Sequence, residues 1–283
     1  MHRLLVVLLA SAALALPAQA TGGAPPLKHA RAANGGVAVD LSYRRQGDRY
    51  SDVRIAIRRH GQLALAAPLV AVGCKSCAVS GFGTINGNPL KIRDLDADGE
   101  PEVLVDLYTG GAHCCWLTVF LRFDGRTYRK TTMLWGDPSY ELQDLDHDGR
   151  PELVSADDRF AYQFTYYAAS ALPVQIWHFD HGVLTDVTSS YPAVVRGDAA
   201  TLWSAYLQAR SDKEADVRGV LAAWLADEYR LGLADEGWTK IRAAYARGEL
   251  SAPRVDPIWP AGQKYLSTLR SFCLLYTSDA ADE

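Results

Sequence analysis

The sequence predicts a mainly β protein with α: blade-like antiparallel β repeats, incomplete as a propeller, followed by an α-helical C-terminal part. Three observations carry this expectation. Short strand patterns meet turns at Gly61, Gly125 and Gly182, which are separated by 64 and 57 residues, and a period near 60 is a repeat signature. Two acidic nonapeptides of nearly identical sequence lie 50 residues apart in the same stretch. From Asp198 onward the apolar residues recur every three to four positions, which is the helical period. Three units are too few for a complete propeller ring.

In chain order, residues 1–20 read as a signal peptide: Arg3, an apolar run over 4–16, then Pro17-Ala18-Gln19-Ala20, whose small residues suit cleavage after Ala20. The run is shorter than the ~20 apolar residues of a membrane span, and no later stretch approaches that length. The mature chain is therefore expected to be exported, periplasmic or secreted, with no transmembrane span. Residues 21–35 are rich in Gly, Ala and Pro without apolar periodicity and read as a flexible leader.

Residues 36–196 are expected to form the β-repeat domain. Residues 37–41 are a strand candidate, and 53–57 alternate before the His60-Gly61 turn and a return strand at 63–65. Residues 120–123, Asp124-Gly125 and 127–128 form a hairpin pattern, because Asp-Gly suits the positive φ of tight turns. Residues 174–179, Asp180-His181-Gly182 and 183–184 form another. The helical region is expected over 197–272, with Asp198 as N-cap of a first helix and Ser211 to Glu214 as a capping box for a second. Trp238, Ile241 and Tyr245 mark a third helix, and Tyr265 to Phe272 a fourth. Residues 273–283 resemble one reading frame of a transposase adapter used in library preparation, so they are expected to be a sequencing artefact.

The 283 residues are 48% hydrophobic and 22% charged, with a mean hydropathy of -0.09, which excludes a disordered or collagen-like polymer. The formal net charge of -4 argues against a nucleic-acid surface and gives no reason to expect anionic lipid.

Chemistry concentrates in the two nonapeptides, Asp94-Leu95-Asp96-Ala97-Asp98-Gly99-Glu100-Pro101-Glu102 and Asp144-Leu145-Asp146-His147-Asp148-Gly149-Arg150-Pro151-Glu152. Acids at positions 1, 3, 5 and 9 place four carboxylates in each loop, and glycine at 6 lets the chain curl around one ion. Oxygen ligands on a flexible loop suit calcium better than magnesium, which prefers rigid octahedra. Position 12 is Val105 or Ser155, where an EF-hand carries a bidentate glutamate, and the residues that follow pattern as strand. A strand-loop-strand turn is expected, with the carbonyls of Glu100 and Arg150 at position 7.

These segments resemble the FG-GAP repeats of integrins, also called VCBS repeats, in which an Asp-rich DxDxDG calcium loop lies within each propeller blade. Carried over by position, the resemblance implies calcium at Asp94, Asp96, Asp98, Glu100 and Glu102, and at Asp144, Asp146, Asp148, Arg150 and Glu152. Phe82-Gly83 resembles the opening pair of the repeat. Glutamate replaces the family's closing aspartate, and Asp106-Leu107-Tyr108 replaces its usual Gly-Ala-Pro end.

A second cluster comprises Cys74, Cys77, Cys114 and Cys115, with His113 alongside. In an exported protein these read as two disulfides. Consecutive strand residues face opposite sides, so Cys114 and Cys115 are expected to bond elsewhere, joining the Cys74/Cys77 pair across the repeat. A zinc or redox site using His113 is the alternative. No nucleophile elbow, phosphate loop, dinucleotide fingerprint or HExxH is present. The function expected is a calcium-stabilised binding or scaffolding module with a protein or glycan ligand, able to self-associate through open sheet edges. The alternative is a secreted hydrolase or a redox or metal enzyme built on His113, Cys114 and Cys115.

Overall fold

Thirteen strands and four α-helices are described in the computed structural model, which covers residues 24–71, 74, 77–80, 87–111, 114–212, 215–251 and 258–276. The first sheet is an antiparallel meander of β1 (Leu27–Asn34), β2 (Val37–Gln46), β3 (Arg49–Arg59) and β4 (Gln62–Pro68). The second runs β6 (Leu90–Arg93), β7 (Glu102–Gly111), β8 (Cys114–Phe123) and β9 (Tyr128–Gly136), and the short β5 (Ala78–Val79) pairs with the far end of β7. The third is β10 (Glu141–Gln143), β11 (Glu152–Ala156), β12 (Val174–Asp180) and β13 (Val183–Asp186). Gly61, Gly125 and Gly182 all lie between the third and fourth strands of their meanders, with φ of 83°, 89° and 91°. The 60-residue period is therefore the spacing of three antiparallel sheets, two of four strands and the middle one of five. They do not close into a barrel or propeller.

Side-chain alternation explains how the sheets stack. On β7 and β8, Val103, Val105, Leu107, Leu117, Val119 and Leu121 face the first sheet and pack on Val39, Leu41, Ile55 and Ile57. The opposite faces of the same strands present Leu104 and Phe120 to Trp135, Tyr140, Leu153 and Phe179. The second sheet is thus buried on both sides, which is why β7 reads as a continuous apolar run. One charge sits in that run. Asp106 is fully buried and accepts hydrogen bonds from Thr118 (2.9 Å), Tyr140 (3.2 Å) and the Lys91 ammonium. Burial raises its pKa against the opposing pull of Lys91.

The helices α1 (Pro192–Ala209), α2 (Arg218–Arg230), α3 (Ala234–Ala246) and α4 (Gly262–Cys273) surround a core with Leu221, Trp224, Leu225, Ile241 and Tyr265 at its centre. Val195 of α1 packs with Val174 and Ile176 of the third sheet, joining the two halves.

Several expectations change. Residues 27–34 of the expected leader are β1, because a full ladder with β2 satisfies the backbone even though most of its side chains are exposed. The helical region begins at Pro192 rather than 197, since proline is favoured in a first helical turn. Asp198 is consequently not a cap. It lies inside α1, where its carboxylate accepts from the Val174 N–H at 2.8 Å. The second helix starts at Arg218, beyond the Ser211 capping box, and its first backbone N–H donates to Asp216 at 3.0 Å. Cys273 ends α4 in the helical core and Tyr276 is buried beside it. The signal segment 1–20, Phe82-Gly83, His113 and residues 277–283 lie outside the described residues.

Candidate metal centre

Each acidic nonapeptide connects the first two strands of its sheet, β6 to β7 and β10 to β11. The two loops repeat the same hydrogen bonds. Glu102 accepts from the Leu95 N–H and Glu152 from the Leu145 N–H, both at 2.9 Å. Asp94 accepts from Gly99 N–H at 3.0 Å and Asp144 from Gly149 N–H at 3.1 Å. Asp98 and Asp148 accept from the N–H groups of Glu100 and Arg150. The backbone reaches this shape through left-handed residues at positions 4 and 6: Ala97, His147, Gly99 and Gly149 have φ of 55°, 63°, 86° and 91°.

That bonding leaves four carboxylate oxygens buried and without a donor among the described residues, three in the first loop and one in the second: Asp94 Oδ1, Asp96 Oδ1, Glu102 Oε1 and Asp144 Oδ1. Ligand atoms from Asp94, Asp96 and Glu102 lie within 4.8 Å of one another, as do those from Asp144, Asp146 and Glu152. Burial, reinforced by repulsion from Asp96, Asp98 and Asp94, pushes the Glu102 carboxyl up to about 8. The donor set is all oxygen and strongly acidic, and buried lone pairs without donors are costly. These residues fit a hard divalent cation.

Not every expected ligand joins these groups. The Glu100 carboxylate pairs with Arg59, and Arg150 reaches Asp180 at 3.3 Å, so the side chains at position 7 are directed elsewhere. Asp98 bonds Arg122 at 2.6 Å. His147 is exposed, as its place between ligands requires.

The 50-residue spacing suggests independent loops, yet contacts join them. Asp96 accepts from the His181 N–H at 3.0 Å, the His181 ring contacts Asp180 at 2.8 Å, and Asp180 pairs with Arg150 of the second loop. These contacts form because the β12–β13 turn reaches the first loop. Arg122, 3.3 Å from Asp96, is the other residue that the motif reading missed. Its signal is strand register: Val103 pairs with Leu121, so Arg122 stands opposite Glu102.

The cysteines also differ from expectation. Cys74 bonds Cys77 and Cys114 bonds Cys115, so each pair closes on itself. Cys114 is the first residue of β8, where the β7–β8 register shifts between Tyr108 and Gly111, so strand alternation does not govern the pair. In the sheet, Ala78 pairs with Tyr108 and Tyr108 with Trp116. The two disulfides therefore lie at the same end of the second sheet.

Residues 195–272 match the family model described as the sll0997 C-terminal domain. The match covers α1 to α4 and leaves both acidic loops outside it. The chain is 31% identical over 236 residues to a protein named "Probable thylakoid lumen protein sll0997" from Synechocystis sp., covering 78% of this chain and 65% of that one. It is also 31% identical over 219 residues to "Uncharacterized protein y4bJ" from Sinorhizobium fredii, covering 75% of this chain and 33% of that protein. The chain thus spans less than two thirds of either relative. No solved structure matches it significantly. Among the described residues, no helix is long and apolar enough to cross a membrane.

Proposed function

We propose that this chain is an exported, calcium-stabilised β-repeat protein of FG-GAP or VCBS type that acts as a binding or scaffolding module. The observation that carries the calcium reading is the set of buried carboxylate oxygens without donors, three in the first loop and Asp144 Oδ1 in the second, within two loops that share a hydrogen-bond pattern. Asp94, Asp96 and Glu102 would hold one ion, and Asp144, Asp146 and Glu152 the other, with the carbonyls of Glu100 and Arg150 adding main-chain oxygens. Bound calcium would supply the positive charge that offsets repulsion among these acids. Glu102 and Glu152 each clamp the entry of their loop through Leu95 and Leu145, and each begins a core strand. The role of the site is therefore to order the loop and anchor that strand.

Export is supported by the signal-like residues 1–20, by two disulfides of a kind formed in oxidising compartments, and by the thylakoid lumen name of one relative. A protein or glycan ligand suits a stack of sheets, and the terminal strands β4, β9 and β13 offer edges for self-association. Thermal melting in calcium and in chelator, with elemental analysis of the purified protein, tests the central reading. A higher midpoint with bound calcium is expected. An identical midpoint with no calcium bound would refute it.

A further inference from the structure

The two loops are near copies in sequence and hydrogen bonding; at position 7 Glu100 pairs with Arg59 and Arg150 with Asp180, and a further difference lies at a matched position on the neighbouring strand. In the second sheet Val103 pairs with Leu121, which sets Arg122 of β8 opposite Glu102. In the third sheet Leu153 pairs with Trp177, so one register step further sets His178 of β12 opposite Glu152. At that register position the first loop has a permanently charged arginine and the second a histidine.

Arg122 is well held. Its side chain is 15% exposed, and its guanidinium contacts Asp98 at 2.6 Å, Asp96 at 3.3 Å and Glu102 Oε1 at 4.0 Å. The last of these is a buried oxygen that no donor satisfies. Asp96 Oδ2 is further committed to the His181 N–H, which leaves Oδ1 as its free oxygen. At the second loop the neighbouring donor is a neutral hydroxyl, Tyr191, 3.4 Å from Asp146.

The structure assigns Arg122 the role of a resident counter-cation that weakens calcium at the first loop and makes the second loop the tighter site. This rests on the calcium reading above. Ligand charge and site rigidity set affinity in oxygen-ligand calcium sites. A guanidinium that already neutralises Asp96 and Asp98 reduces the first and repels the incoming ion. It also lets the first loop keep its shape without calcium, because the acids are already bridged. The second loop has no fixed cation opposite its glutamate, so its order depends more on the ion. As calcium rises, the second loop fills first and the first loop follows.

The test measures calcium binding to the full chain at one fixed pH. Asp146→Ala isolates the first site and Asp96→Ala the second. Adding Arg122→Gln to the Asp146→Ala chain should tighten the first site at least tenfold, about 1.4 kcal/mol. Adding it to the Asp96→Ala chain should change the second site less than twofold. Arg122→Lys, which keeps the charge, should restore the weaker binding. In chelator, Arg122→Gln should lower the melting midpoint, and calcium should recover it. Unchanged or weaker binding at the first site in Arg122→Gln would overturn the inference while leaving the calcium reading intact. Wild-type protein that binds no calcium would overturn both.

Discussion

Replacing Asp227 by asparagine should change how stability depends on pH. Asp227 lies on α2 with no exposed surface, and apart from the Asp198 carboxyl no hydrogen-bond partner among the described residues reaches its oxygens. Burial pushes its carboxyl up to about 9, and Asp198 of α1 adds repulsion and a hydrogen bond that favours the protonated form. Glu228 acts in the same direction, while Arg230 opposes it. The folded chain therefore keeps this proton to about pH 9, whereas the unfolded chain releases it near 4. Between these values the folded state binds more protons, so stability falls as pH rises, by at most about 1.4 kcal/mol per pH unit. From pH 5 to pH 7 the contribution is roughly 3 kcal/mol. Asparagine keeps the shape and a donor toward Asp198 but cannot ionise. Urea denaturation at pH 5, 6, 7 and 8 should show the Asp227→Asn chain gaining on wild type with each step. Curves that stay parallel across that range would refute the proton-sharing pair.

Other outcomes follow from the same contacts. With calcium set at about 100 times the dissociation constant of the site concerned, Asp96→Ala and Asp146→Ala should each remove roughly 2.7 kcal/mol of unfolding free energy. The double variant should depart from the sum, since His181, Asp180 and Arg150 link the loops, and a double-mutant cycle reads the coupling. Leu104→Ala, at a fully buried position between the second and third sheets, should cost about 2–5 kcal/mol in urea unfolding. Peptide mapping of unreduced protein should recover Cys74 bonded to Cys77 and Cys114 to Cys115; peptides that join the two segments would contradict the pairing described here.

The sheets and the acidic loops were legible because their information is local. Alternating strands, positive-φ glycines at 61, 125 and 182, and a nine-residue motif with glycine at position 6 are properties of neighbouring residues. Aromatic and aliphatic stripes revealed the helices for the same reason. What local pattern could not supply were partners from distant segments. Residues 27–34 have the composition of a leader and become a strand only because β2 offers a complete ladder. Asp198 resembles a cap until Val174 engages it from 24 residues away. Cys114 and Cys115 follow strand alternation only in a regular strand, and the register shift at the start of β8 removes that condition. By itself the sequence determined that four acids would crowd into each of two loops. Tertiary structure decided which oxygens stay free, that Arg122 stands at one loop and His178 at the other, and that the β12–β13 turn ties the loops together. Charge type is written in the residues, but electrostatic interaction depends on separation and burial, and those are set only when the sheets pack.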